Sequence, residues 1–277
     1  MNCYNPQHLN WLDDTGQRIQ TSDGIDVELW ELHHQQDNTV LSLWAKHFRE
    51  HYCKDCEIDL LRSGTGYDRK NYLVNLVFPD KNNAPGPSIR AGDFAEILLA
   101  DFLEYILGFW VPRYRYDEKN IRNESTKGAD IIGFKYDSNV EKPTDTLMIF
   151  EVKAKFTGNS EGNRLQDAID DSIKDYNIRK AESLNALKRR LIKDGNISES
   201  EIVARFQNQM DHPYKEDSGA AAVFSSTSFN NSIIVSADSS KHPNNGSIKL
   251  IVISGDDLMT LTHELYRRAA DEAGNTI

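Results

Sequence analysis

Residues 147–153, Leu147-Met148-Ile149-Phe150-Glu151-Val152-Lys153, carry the reading that decides the fold. An apolar run of strand character ends in two charges one residue apart. Side chains alternate along a strand, so Glu151 and Lys153 point to the same face. A second strand is expected over 129–136, and the polar residues 137–145, Pro143 among them, join the two as the long loop of a β-hairpin. Taken as symmetric about residue 141, the hairpin sets Asp130 opposite residue 152 and beside Glu151. Two carboxylates and one ammonium then meet at one end of a sheet. Carboxylate oxygens are the donors Mg²⁺ prefers, and a water the ion keeps can become the nucleophile of a phosphodiester displacement. A nearby Lys153 can position that water or neutralise charge on the phosphate. The bland alternative for the trio is an exposed sheet end with a cross-strand Glu/Lys pair. Acidic-x-Lys spelling alone is weak, because Asp68-Arg69-Lys70 and Asp117-Glu118-Lys119 share it. Both lie in polar stretches where solvated surface charge is expected.

Outward from the hairpin, helical periodicity dominates. Upstream, Asp93 reads as an N-cap with Glu96 three residues on, and Phe94, Ile97, Leu98, Phe102, Tyr105 and Ile106 give a buried helix that stops at Gly108. Downstream, Leu165, Ala168, Ile169, Ile173, Tyr176, Ala181, Leu184, Leu187 and Leu191 define a long amphipathic helix, starting near Gly162-Asn163 and ending before Gly195-Asn196. A short helix over 199–210, strands near 220–225 and 250–254, and a last helix capped by Asp256 and running through Arg268 complete this part. Before it, residues 25–32 read as a half-buried strand, Leu41, Trp44, Phe48 and Tyr52 as one face of a helix, and residues 72–78 as a strand. The turn-rich segment 81–88 is the expected joint between an α/β extension, residues 1–87, and a second domain, residues 88–277.

Composition bounds the function. The 277 residues are 39% hydrophobic and 27% charged, which excludes collagen, coiled coil and wholesale disorder. No apolar stretch approaches the roughly 20 residues of a bilayer crossing, and Met1-Asn2-Cys3 opens no signal-peptide pattern, so a cytoplasmic protein is expected. Lys and Arg number 32 against 43 Asp and Glu, a net charge of −11 that argues against strong unaided binding of nucleic acid. Locally the balance reverses. Lys174, Arg179, Lys180, Lys188, Arg189, Arg190 and Lys193 face only Asp175 and Glu182 along the long helix, a phosphate-backbone track or an ordinary solvated helix face. Trp110, Tyr114 and Tyr116 beside Arg113 and Arg115 are read as core packing in preference to base stacking. Cys53 and Cys56, with His47 and His51 just before them, can be written as a zinc site or as half-buried thiols beside solvated histidines.

The helix with Glu96, the Lys127-Gly128-Ala129-Asp130 and Glu151-Val152-Lys153 segments, and the helix opening Asn163-Arg164-Leu165-Gln166 resemble the PD-(D/E)xK nuclease superfamily. The resemblance implies a restriction-endonuclease-like α/β core, a central mixed sheet flanked by helices. It also implies that Asp130 and Glu151 bind Mg²⁺, with Mn²⁺ able to substitute, and that Lys153 is the catalytic lysine. Glu96 would complete the metal site, and Gln166 would contribute from the following helix. Ala129 stands where the superfamily's name has a proline. More specifically, Gly92-Asp93-Phe94-Ala95-Glu96, the two later motifs and the chain length resemble the HamA family, nuclease subunits of bacterial Hachiman anti-phage defence systems. That resemblance implies a large helicase partner, HamB, which restrains the nuclease and engages DNA, the N-terminal extension bracing the core or binding the partner. Two other functions stay open: a noncatalytic helicase-binding subunit on the same fold, and a stand-alone, sequence-specific restriction enzyme.

Overall fold

The computed structural model describes residues 4–117, 119–137, 140–158 and 162–274. Among these, β1 (Leu12–Gln20), β2 (Asp26–Leu32), β3 (Ile131–Lys135), β4 (Thr146–Lys155), β5 (Lys215–Ser225) and β6 (Lys249–Gly255) form one sheet in the order β1-β2-β6-β5-β4-β3. The inner strands β2, β6, β5 and β4 run parallel, and β1 and β3 close the edges antiparallel. Parallel strands are covered on both faces and so read as near-continuous apolar runs. Ala220-Ala221-Ala222-Val223 of β5 and Leu250-Ile251-Val252-Ile253 of β6 are such runs, fully buried.

The helices are α1 (Asn38–Glu50), α2 (Ile58–Arg62), α3 (Arg69–Tyr72), α4 (Gly86–Asp101), α5 (Arg164–Lys174), α6 (Lys180–Lys193), α7 (Ile197–Arg205), α8 (Asn231–Val235) and α9 (Leu258–Ala273). On one face of the sheet, α1, α4 and α9 bury Trp44, Phe48, Phe94, Leu98 and Leu265 against Phe150, Val152, Val223 and Ile253. On the other, α5 packs Leu165 and Ile169 on Ala220, Ala222 and Val252, while Leu184 and Leu191 of α6 and Val203 of α7 meet Leu147 and Ile149. The sheet and the largest core thus draw on residues before and after the 87/88 joint alike. A π-helical turn, Asp175–Arg179, links α5 to α6, so the expected long amphipathic helix runs from Arg164 to Lys193 with one wider turn in it.

Several expectations change. Residues 72–77 are helical, not a strand, and Phe78 caps the turn in an extended conformation. The Phe78 amide bonds to the Leu73 carbonyl at 2.7 Å, and this five-residue closure buries both side chains while Val74 and Leu76 stay outside. Helix α4 starts at Gly86, with Pro87 in its first turn, so Asp93 is an interior residue and not a cap. It is buried, taking hydrogen bonds from the Tyr52 hydroxyl and the Lys119 ammonium, both at 2.5 Å. Helix α9 begins after Asp257, a residue with φ of 48°, and the Asp256 carboxylate instead accepts from the Ser226 hydroxyl. The hairpin holds with a register one residue from the expected one. Ile131 pairs with Phe150, which carries Asp130 across from Glu151 and not from Val152. Residues directly opposite share a face, so this register puts the two carboxylates together.

Candidate active site

Strand β4 is apolar on both faces until Phe150, after which its outward alternation turns charged. Glu151, 2% exposed, sits where the apolar layer stops. Its Oε1 accepts from the Asp130 backbone amide at 3.2 Å, and Asp130 Oδ2 accepts from the Val152 amide at 2.9 Å. Lys153 Nζ lies 3.5 Å from Glu151 Oε2 and 2.6 Å from Asp171 Oδ2. The structure therefore brings Asp130, Glu151 and Lys153 to one place.

Three further residues share it. Asp171 on α5 holds Lys153, and Asp175, 1% exposed at the start of the π-helical turn, shares a side-chain hydrogen bond with the Glu151 carboxyl. Leu165, Ala168, Ser172 and Asp175 follow one another at three- and four-residue spacing, so Asp175 occupies a position of the buried stripe. An acid on an apolar stripe was the readable signal for it. Arg115 is the third. Its guanidinium bridges Glu96 Oε2 at 2.8 Å and Asp130 Oδ1 at 2.6 Å, and it donates to the Ala129 carbonyl at 2.5 Å.

Charge is short of balance here. Burial, with the neighbouring Asp130 and Asp175 carboxylates adding to it, pushes the Glu151 carboxyl up to about 11. Burial likewise raises Asp175, and it lifts Glu96 to about 8 against the opposing charge of Arg115. Burial works against the Lys153 ammonium, yet the Asp171 hydrogen bond and the charges of Asp130 and Glu151 leave it above the ordinary lysine value. The site is a crowded set of hard oxygen donors in which burial disfavours the charged form of Glu151 and Asp175, beside a lysine whose charged form is favoured.

The other expected site residues fall apart from this group. Glu96 reaches it only through Arg115, its carboxylate also accepting from the Tyr116 hydroxyl at 2.6 Å. Gln166 turns away: its amide bonds Asp170 and both the carbonyl and amide of Asp238, fastening a loop. Of the basic run, Lys174, Arg179, Lys180 and Arg190 pair with Asp171, Asp175, Glu216 and Asp117, while Lys188, Arg189 and Lys193 carry no ion pair among the described residues. Asp130 and Glu96 open onto a cleft of about 570 Å³ walled by Arg113, Arg115, Lys119, Lys127 and Arg190. Tyr116 is buried and Trp110 bridges to Phe134, the core packing expected of them.

The acidic-x-Lys spelling at 117–119 is not solvated surface charge, since Asp117 pairs with Arg190 and the Lys119 side chain is 4% exposed on Asp93. Glu118 lies outside the described residues. The Cys-x-x-Cys does not gather with the histidines as a ligand set: burial pushes the Cys53 thiol up to about 12, away from the ligating thiolate, and Cys56 is exposed. Among the described residues, the His/Cys/Asp/Glu group whose ligand atoms all fall within 4.8 Å of one another is His47, His51 and Asp101.

A six-stranded mixed sheet flanked by helices is the architecture of a restriction-endonuclease-like core. The chain belongs to the HamA family, whose model matches residues 6–269, and so to the anti-phage defence proteins of Hachiman systems. No curated protein matches it. No helix among the described residues is long and apolar enough to cross a membrane.

Proposed function

We propose that the chain is a metal-dependent, largely sequence-nonspecific DNA nuclease, the effector of a Hachiman complex with a helicase subunit. The observation that carries this reading is the juxtaposition of Asp130 with Glu151 and Lys153 across the β3–β4 register. The residues fit a divalent cation. Asp130, Glu151 and Asp175 are hard oxygen donors crowded at one place, and Glu151 and Asp175 form a buried, hydrogen-bonded pair of carboxyl groups. Bound there, Mg²⁺ or Mn²⁺ would supply a Lewis acid and an acidified water.

The chain's own residues do the rest. Arg115 fixes the Asp130 carboxylate through Oδ1, leaving the rest of that group to face its neighbours. Lys153, charged and held by Asp171, stands where it can orient a water or meet negative charge growing on a phosphate. Glu96 acts at one remove, keeping Arg115 in place. The basic wall of the cleft with Lys188, Arg189 and Lys193 offers phosphate contacts, which carry no sequence information by themselves. A net charge of −11 opposes DNA capture by the chain alone, and a helicase that delivers the strand answers this.

The test is degradation of plasmid DNA by the wild-type chain and by Glu151→Ala, with and without the helicase partner, in Mg²⁺, Mn²⁺ or EDTA. Metal-dependent cutting lost in the variant supports the reading. Cutting that survives in EDTA, or none by the wild type with its partner and metal, rejects it in favour of a different site or a noncatalytic subunit.

A further inference from the structure

The cleft beside Asp130 combines two kinds of surface. Buried apolar residues line its depth, Ile97 and Ala100 of α4, Val111, and Ile131 of β3. Ala186 and Leu187 of α6 continue that lining outward. Tyr114 stands on the same wall, half-buried, with the Arg190 guanidinium 6.0 Å from its ring centroid. The exposed side is polar, formed by Ser125, Thr126 and Lys127 on the segment that leads into Asp130.

Most of the charge in the cleft is already matched. Arg113 pairs with Asp101 and Glu104, Arg115 with Glu96 and Asp130, Lys119 with Asp93, and Arg190 with Asp117 and Asp194. Lys127 differs. It is exposed, and its ammonium makes no ion pair or hydrogen bond among the described residues. Glu124 and Glu182 stand in the lining as well, so attraction for phosphate is local to Lys127 and not spread over the cleft. Three residues of chain span at most about 11 Å, which keeps Lys127 close to the Asp130 carboxylate.

These surfaces match one ligand chemistry. A duplex keeps the faces of its bases stacked inside and offers phosphates, which leaves an apolar lining uncovered. An unpaired nucleotide offers a base to the apolar wall and a phosphate to the lysine. We propose that the cleft is the subsite for an unpaired nucleotide of the DNA strand being cut, its base beside Tyr114 and its phosphate on Lys127. The inference rests on the nuclease reading and deepens it. The strand reaches Asp130 single, which an unwound substrate offers and an intact duplex does not.

The experiment is equilibrium binding by the full chain in Ca²⁺ at several salt concentrations, followed by fluorescence anisotropy. The probes are a labelled oligothymidylate and its duplex with oligoadenylate, with thymidine monophosphate as competitor. The single strand should bind at least about tenfold more tightly than either the duplex or the mononucleotide. Ala186→Trp fills the cleft from an exposed helix position and should weaken strand binding about tenfold at an unchanged melting temperature. Lys127→Gln should reduce the slope of log affinity against log salt by about 0.7, the loss of one phosphate contact. Being exposed, Lys127 decides the matter even where Ala186→Trp fails to fold. Several results overturn the proposal: no binding of the strand, a duplex bound as tightly, a folded Ala186→Trp with wild-type affinity, or an unchanged salt slope in Lys127→Gln. A mononucleotide bound as tightly as the strand also overturns it, in favour of a site for a free nucleotide. Because binding is read without turnover, failure of the subsite and failure of the nuclease reading remain separate, the latter being decided by Mg²⁺-dependent cleavage.

Discussion

The two faces of strand β4 make a contrast within ten residues. Met148, Phe150 and Val152 on one face are buried in the core formed with α1, α4 and α9, and the layer stays apolar along their whole length. Leu147 and Ile149 on the other face are equally buried, but the series continues as Glu151 and Lys153. The strand is continuous through both, so the backbone does not distinguish them. What distinguishes them is where the covering apolar layer stops. One face should fail by unfolding when altered, the other by losing chemistry while the fold survives.

The sharpest way to break that contrast is on the charged face. Glu151→Ala and Asp130→Ala are expected to lower metal-dependent DNA cleavage by about 10³-fold or more, with a melting temperature within a few degrees of wild type. Next comes the apolar face. Phe150→Ala is expected to cost about 3–5 kcal/mol of stability in urea or thermal unfolding, since its ring is fully buried. Gly219→Ala strikes the same ring from β5, because a Cβ there would lie 2.1 Å from Phe150 Cε2. A smaller effect separates the helix residues: Asp175→Asn is expected to reduce cleavage by about 10- to 100-fold, and Gln166→Ala to leave it unchanged. Cleavage assays on both variants check this.

The smallest effect concerns pH. Glu151 in the folded, metal-free chain holds a proton that an unfolded chain releases above its ordinary carboxylate range. The unfolded state then binds fewer protons, so this contribution to stability is complete at low pH and declines as pH rises toward the folded value. Glu151→Gln removes the titration. In EDTA it should flatten the decline and stabilise the protein by about 1 kcal/mol at neutral pH, read as melting temperature against pH.

Much of this was legible in the residues, for reasons that are themselves physical. The hairpin, the trio and the long helix were readable because an apolar run interrupted by charge, and a sustained 3.6-residue period, are strong signals. Of the inner parallel strands, β4, β5 and β6 were readable as apolar runs and β2 by its alternation of apolar and polar residues. Strand β1 was not, because Leu12–Gln20 is a largely exposed edge strand held by its pairing with β2 and not by apolar alternation. Asp93 and Glu96 spelled a capping box that tertiary ion pairs overrode, and Asp175 was submerged in a basic run although its place on the buried stripe marked it. Arg115 could not be found at all from local sequence, since its importance lies in joining Glu96 of α4 to Asp130 before β3. The one-residue error in register came from centring the pairing on residue 141 where the strands pair about the point between 140 and 141, a half-residue that no sequence rule fixes for a loop this long.

The most direct test of the central claim is Mg²⁺-dependent DNA cleavage by Glu151→Ala in the presence of the helicase partner, measured beside the variant's melting temperature. The account predicts no metal-dependent cleavage from a chain that melts within a few degrees of wild type. Cleavage at the wild-type rate by that folded variant would contradict it.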